Sequence, residues 1–164
     1  MQKNHQHLKR KKSKRTLQVI FNASVILAGI HSPRGGSGKL LSWVKKKRIT
    51  GYISEIILDE LLRHNQKIGL TQTTLQYEVT KLFPSILSAP SETEVKKFYS
   101  VVSDHGDAHL FASCREKKIQ YLVSLDKRHI LCLKDKVKRI IIVSPKELIE
   151  SIRQSQTEIK KPRR

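Results

Sequence analysis

Four short runs rich in β-branched and apolar residues, Leu17 to Phe21, Ile49 to Ile53, Ile119 to Leu125 and Arg139 to Val143, are separated by stretches of helical period. No other feature constrains the fold as much. Apolar residues at consecutive rather than alternate positions suit strands buried on both faces. Helical patterns fall at Ser37 to Lys47, Glu55 to His64, Thr73 to Phe83, Glu92 to Val101, Gly106 to Lys118 and Pro145 to Arg153. Parallel strands need long crossovers, so strands that alternate with helices predict an α/β fold: a parallel sheet with helices on both faces. The start of the last helix is marked by Ser144-Pro145-Lys146-Glu147, with Ser at the N-cap, Pro at the first helical position and Glu at the third, which is a capping box.

A chain of 164 residues is the size of one domain with one core. Its net charge of +19 is uneven: residues 1–16 hold seven Lys or Arg and no acid, and residues 153–164 hold five with one acid. The ends account for +7 and +4, leaving +8 for the middle. We therefore divide the chain into a basic disordered arm (1–16), a folded body (17–152) and a basic tail (153–164). A basic body with basic arms points to a polyanionic partner, because neutralised phosphates release counterions; the arms alone are equally consistent with solvated tails.

Cys114 and Cys132 are too few and too far apart for a zinc site or a disulfide framework, which suggests a reducing, cytoplasmic setting. The basic start followed by the apolar stretch Leu17 to Ile30 has the outline of a signal peptide. However, Gln18, Asn22 and Ser24 interrupt it, and no small-residue cleavage site follows. No uninterrupted run approaches the roughly 18 apolar residues of a membrane span.

The informative residues are acids on faces that should be apolar. At about 100° per residue, Glu60 falls between Ile56 and Ile57 on the wheel, while Asp59 and Arg63 occupy the polar gap. Asp107 lies in the arc of Leu110, Phe111 and Cys114. An inward carboxylate must be paired, protonated or bound to a cation. For Asp107 there is a competing reading, a capping box over Asp104-His105-Gly106-Asp107.

Asn22 and Ser24 follow the first strand, and Asp126 follows the third. Carboxyl ends of strands form the ligand crevice of open α/β sheets, although an Asp there is also an ordinary helix cap. Hard oxygen donors of this kind suit Mg²⁺ or Mn²⁺. The stretch Ser32-Pro33-Arg34-Gly35-Gly36-Ser37-Gly38-Lys39 fails the phosphate-loop pattern, because Pro33 replaces the first Gly and Leu40 the Ser or Thr. We read it as a flexible loop capping the helix that begins near Ser37. No Gly-x-Gly-x-x-Gly occurs, so a dinucleotide fold has no support.

Taken in order, Val19 to Ile26, Ser54 to Leu61, Asp104 to Ala112, Tyr121 to Asp126 and Ile142 to Leu148 resemble the PIN-domain family, single-domain ribonucleases that include toxin components of bacterial toxin-antitoxin pairs. The resemblance spans Gln18 to about Glu150 and is weakest from His64 to Pro90. It implies a PIN-like fold in which Glu60, Asp107 and Asp126 are three of the four metal-site acids and Ser24 is the small polar residue beside them. Asn22 stands where the family pattern has Asp, and His129 where many members carry another acid.

The resemblance implies hydrolysis of an RNA phosphodiester by a metal-activated water. Asn22 keeps a carbonyl oxygen but adds no charge and cannot act as a base, so metal is expected to bind weakly. Two readings follow: a metal-dependent ribonuclease, with an antitoxin protein and a second copy of the chain as implied partners, or an RNA-binding module with little or no catalysis. A basic structural protein of an RNA assembly, its acids only caps and ion pairs, is a third. For RNA contact we single out Lys9, Arg10, Lys11, Lys12, Lys14 and Arg15 in the arm, and Lys127 and Arg128 beside Asp126.

Overall fold

A computed structural model describes residues 16–159. Among these, five strands, β1 (Leu17–Phe21), β2 (Ile49–Ser54), β3 (Ile86–Leu87), β4 (Tyr121–Val123) and β5 (Ile141–Val143), form one parallel sheet in the order β3-β2-β1-β4-β5. The helices are α1 (Ala23–His31), α2 (Gly36–Lys45), α3 (Glu55–Arg63), α4 (Gln72–Leu82), α5 (Glu92–Lys96), α6 (Ala108–Glu116) and α7 (Pro145–Ile159). They pack in two sets, α1 to α4 with α7, and α5 with α6. Right-handed crossovers that reverse direction between β3 and β4 put these sets on opposite faces of the sheet.

The four expected strands and six expected helices all form. Apart from short 3₁₀ turns, one α-helix and one strand were not expected. Helix α1 comes directly after β1, so the apolar stretch from Leu17 to Ile30 is a strand and a helix in succession, with Val19, Ile20, Phe21, Val25 and Ile26 fully buried. Strand β3 is only two residues long. Helix α5 is shorter than its pattern, ending at Lys96, and α7 runs past Arg153 to Ile159.

The capping box forms as read. Ser144 N–H and Oγ–H both donate to Glu147 Oε2, at 2.7 and 2.8 Å, and Glu147 N–H donates back to Ser144 Oγ at 3.3 Å. Hydrogen bonds from Lys134 and the Ser144 backbone hold the Glu147 carboxyl down to about 2. The glycine-rich segment is not a loose loop but a tight connection between α1 and α2. A Cβ on Gly38 would lie 2.3 Å from the Pro33 carbonyl oxygen. In the sheet, a Cβ on Gly51 would lie 2.7 Å from the Phe83 ring and 2.8 Å from Val44, so the centre of β2 has room only for glycine.

Candidate metal centre

The strand order reverses between β1 and β4, whose outgoing connections run to opposite sides. In a parallel sheet that switch point opens a crevice at the carboxyl ends. Asn22 leaves β1 there, and Ser124 and Asp126 leave β4.

The two exits are tied together by hydrogen bonds. Asn22 N–H donates to the Val123 carbonyl at 3.0 Å, continuing the ladder by one residue. The buried Asn22 side chain donates through Nδ2 to Ser124 Oγ at 2.9 Å. It makes no capping bond to α1. Ser124 Oγ in turn accepts from Asp126 N–H at 3.0 Å, and Ser24 Oγ accepts from Leu125 N–H at 3.3 Å. The small polar residue in the first turn of α1 therefore fixes the loop that carries Asp126.

Asp126 does two things. Its Oδ1 accepts from the backbone N–H of Arg128 and of His129, at 3.0 and 2.9 Å, which is the capping role open to any Asp after a strand. Its Oδ2 lies 3.1 Å from His129 Nδ1. Burial pushes the Asp126 carboxyl up, but the bonds from the His129 backbone and ring and from Arg128 outweigh it and hold the group below its ordinary value.

Asp107 arrives from the other side of the crevice, at the end of a single 3₁₀ turn, His105–Asp107, that leads into α6. Only half of the alternative capping box forms. Asp104 Oδ1 accepts from Gly106 N–H at 2.8 Å, and Asp107 N–H bonds the Asp104 carbonyl, but no bond returns from the Asp107 carboxylate. That carboxylate is left for the crevice. Burial, followed by the negative charges of Asp104 and Asp126, raises Asp107 to about 6, with His129 opposing and Glu60 adding a little.

Asp107, Asp126 and His129 each bring one ligand atom within 4.8 Å of the others. Glu60 is not part of that tight set, although its charge is felt by Asp107. Its phase on α3 is as the wheel predicts: Ile57 and Leu61 are fully buried, Asp59 and Arg63 are exposed and paired at 2.8 Å, and Glu60 is half-buried. Burial raises the Glu60 carboxyl, against the pull of His64, Arg63 and Lys67.

His129 is the member of the cluster that residue reasoning did not place in the site; its spacing of three from Asp126 was the available signal. Lys127 and Arg128 are exposed on the same loop. Lys9, Arg10, Lys11, Lys12, Lys14 and Arg15 lie outside the described residues.

A PIN-domain family model matches residues 18–128, a span that contains Asn22, Ser24, Glu60, Asp107, Ser124 and Asp126 and stops one residue short of His129. The chain belongs to the PIN-domain family. Among solved structures, a chain in the crystal structure of VapBC2 from Rickettsia felis bound to a promoter DNA fragment superposes with a TM-score of 0.58 at 12% identity, covering 78% of this chain and 98% of that one. A chain of FitAB bound to the IR36 DNA fragment gives 0.55 at 14% identity, covering 77% and 94%. At such identities the likeness is one of fold. No curated protein is significantly similar in sequence.

The donor set suits a divalent cation: the carboxylates of Asp107 and Asp126 and the His129 imidazole bring ligand atoms within 4.8 Å of one another. Raised carboxyl groups are a further mark of such a site, because the cost of crowding negative charge is relieved when a cation enters.

Proposed function

We propose that this PIN-domain chain is a metal-dependent ribonuclease whose turnover is limited by Asn22. The observation that carries the proposal is the meeting of Asp107, Asp126 and His129 within 4.8 Å at the switch point of the sheet. Asp107 and Asp126 would hold the ion, with Glu60 facing them and Asn22 offering its carbonyl oxygen. Carboxylates alone favour Mg²⁺; an imidazole beside them makes Mn²⁺ the better fit. A bound ion supplies an activated water and charge stabilisation at the leaving oxygen. Asp126 is held ionised by its three hydrogen bonds, and Ser24 and Ser124 keep its loop in place. Asp107 sheds its proton near pH 6 and so becomes available as a ligand at neutral pH.

Asn22 removes one ligand charge, and its side chain is committed through Nδ2 to Ser124. That commitment favours the second reading, an RNA-binding module with little or no cleavage. Two of the fold neighbours come from the two-component assemblies VapBC2 and FitAB, which supports the reading that this chain pairs with an antitoxin-like protein.

The deciding experiment is Asn22→Asp. Ser124 can meet the change by turning its hydroxyl to donate to the new carboxylate while still accepting from Asp126 N–H. Mn²⁺-dependent cleavage of single-stranded RNA should rise at least about tenfold, equivalent to about 1.4 kcal/mol of barrier. Adding Asp107→Asn should remove the gain, which separates it from a contaminating nuclease. A variant that folds, binds RNA and still does not cleave would favour the binding module.

A further inference from the structure

We infer that the pole carrying the amino ends of the strands, opposite the acidic crevice, is a docking surface for the phosphate backbone of RNA, built on Lys47, Lys118 and Arg139. The inference rests on the reading that RNA is what this chain acts on.

The first observation is conformational. Among the described residues, three that are not glycine have positive φ: Lys47 at 55°, Lys118 at 55° and Arg139 at 67°. All three are basic, and each sits two or three residues before a strand, Lys47 before β2, Lys118 before β4 and Arg139 before β5. Because the strands are parallel, all three lie at one end of the sheet.

Two of them close helices in the same way. After α2, Lys47 N–H bonds the Val44 carbonyl and Arg48 N–H the Trp43 carbonyl, both at 2.9 Å. After α6, Lys118 N–H bonds the Arg115 carbonyl at 3.3 Å and Ile119 N–H the Cys114 carbonyl at 2.9 Å. These are Schellman closures, in which the left-handed position is usually glycine because a Cβ there is costly. A basic side chain near a helix end also answers the helix dipole, but Lys45 and Lys46 already do so for α2, and Arg115 and Lys117 for α6. Arg139 follows no helix at all, so for it that explanation is missing.

The second observation is the surroundings. A cavity of about 700 Å³ is lined by Lys118, Lys138 and Arg139 with no acid among its lining residues. A second, of about 470 Å³, is lined by Lys45, Lys47 and Lys81, again with no acid. These six side chains are exposed, and among the described residues none forms an ion pair with a carboxylate. From β2 through β1 and β4 to β5 the row spans three strand spacings, about 14 Å.

The third observation is continuity. Thr16 lines the second cavity, at the amino end of β1, and the residues before it carry seven Lys or Arg and no acid. The basic residues that precede Thr16 therefore join the folded chain at this pole. A row of lysines fits a polyanion better than a protein partner, since the cores of protein interfaces are depleted in lysine. β1 is five residues long, which sets this face about 16 Å from the crevice. RNA would be gripped at one pole and reach the acids at the other.

The test uses the full chain in EDTA, so that binding is read apart from cleavage, with an end-labelled single-stranded RNA followed by fluorescence anisotropy. The variant is Lys47→Gly/Lys118→Gly/Arg139→Gly. Glycine suits the left-handed positions, so the thermal midpoint should be unchanged or higher, while the slope of log affinity against log salt becomes shallower by about 2, from about 0.7 for each lost phosphate contact. The charge-conserving Lys47→Arg/Lys118→Arg/Arg139→Lys should bind as the natural chain does. The inference is overturned if the glycine variant keeps the natural affinity and slope, or if the charge-conserving variant loses binding as well. Natural-chain binding without salt dependence would overturn it together with the RNA reading. Polyglutamate or duplex DNA competing as well as unlabelled RNA would overturn the choice of RNA as the occupant.

Discussion

Replacing Asp107 by Asn should make the metal-free protein more stable at neutral pH while removing its response to metal. In the fold the Asp107 carboxyl is raised from 3.8 to about 6, first by burial and then by Asp104 and Asp126. The folded state therefore holds a proton more readily than the unfolded chain. The ionised group penalises the fold above pH 6, and the penalty fades as pH falls toward 4. At about 1.36 kcal/mol per pH unit the rise corresponds to roughly 3 kcal/mol. Asp107 is only half-buried, so solvent screening reduces this to about 1 to 1.5 kcal/mol. For a domain of this size that is a rise in Tm of about 2 to 6 °C. Asn is nearly isosteric and has no charge to desolvate. The assay is urea denaturation of both proteins in EDTA at pH 7.5 and at pH 4.5, with the advantage of Asp107→Asn expected at the higher pH and mostly gone at the lower. Mn²⁺ should then reverse the order at pH 7.5, since a ligand at a hundredfold excess over its Kd adds about 2.7 kcal/mol to the protein that binds it. A variant less stable than the natural chain in EDTA at pH 7.5, or an advantage that does not change with pH, would refute the account of Asp107 as a strained acid awaiting a cation.

Ser144→Ala removes the reciprocal bonds that start α7 and should cost about 1 kcal/mol by denaturation; no loss would mean that Pro145 and the Lys134–Glu147 pair suffice. Cys114 is buried and its thiol is pushed up to about 12, whereas Cys132 is exposed. A thiol reagent should therefore titrate one cysteine in the native protein and two in denaturant, and fast modification of both in the native state would contradict the packing of α6.

The periodicity of the chain was enough for the parallel α/β architecture, because strands buried on both faces leave a consecutive apolar signature and crossovers leave a helical one. It did not reveal α1. From Leu17 to Ile30 most positions are apolar in both the strand and the helix, including the partly exposed Leu27, Ala28 and Ile30 of α1, so the composition carries no change of period to read. Strand β3 was invisible for a different reason: two residues held by pairing to β2 leave no pattern of their own.

The acids were legible to a comparable degree. The inward phase of Glu60 follows from about 100° per residue on α3, so the sequence by itself determined which way that carboxylate turns. Asp107 sits instead in the 3₁₀ turn ahead of α6, outside the helix whose phase was read. The sequence could not decide between the cap and the site for Asp107 and Asp126; the structure finds half a capping box at Asp104 and a divided role for Asp126. Which groups actually meet depends on how α3, α6 and the exit of β4 pack around the switch point. Tertiary structure brought Asp107 to the locally bonded pair of Asp126 and His129 and left Glu60 outside the tightest part of the cluster. It also gathered Lys47, Lys118 and Arg139, far apart in sequence, at one end of the sheet. Helical phase is set by bonds between neighbours along the chain, whereas the distance between side chains on different elements is set by packing across the core, and that information resides in no single segment.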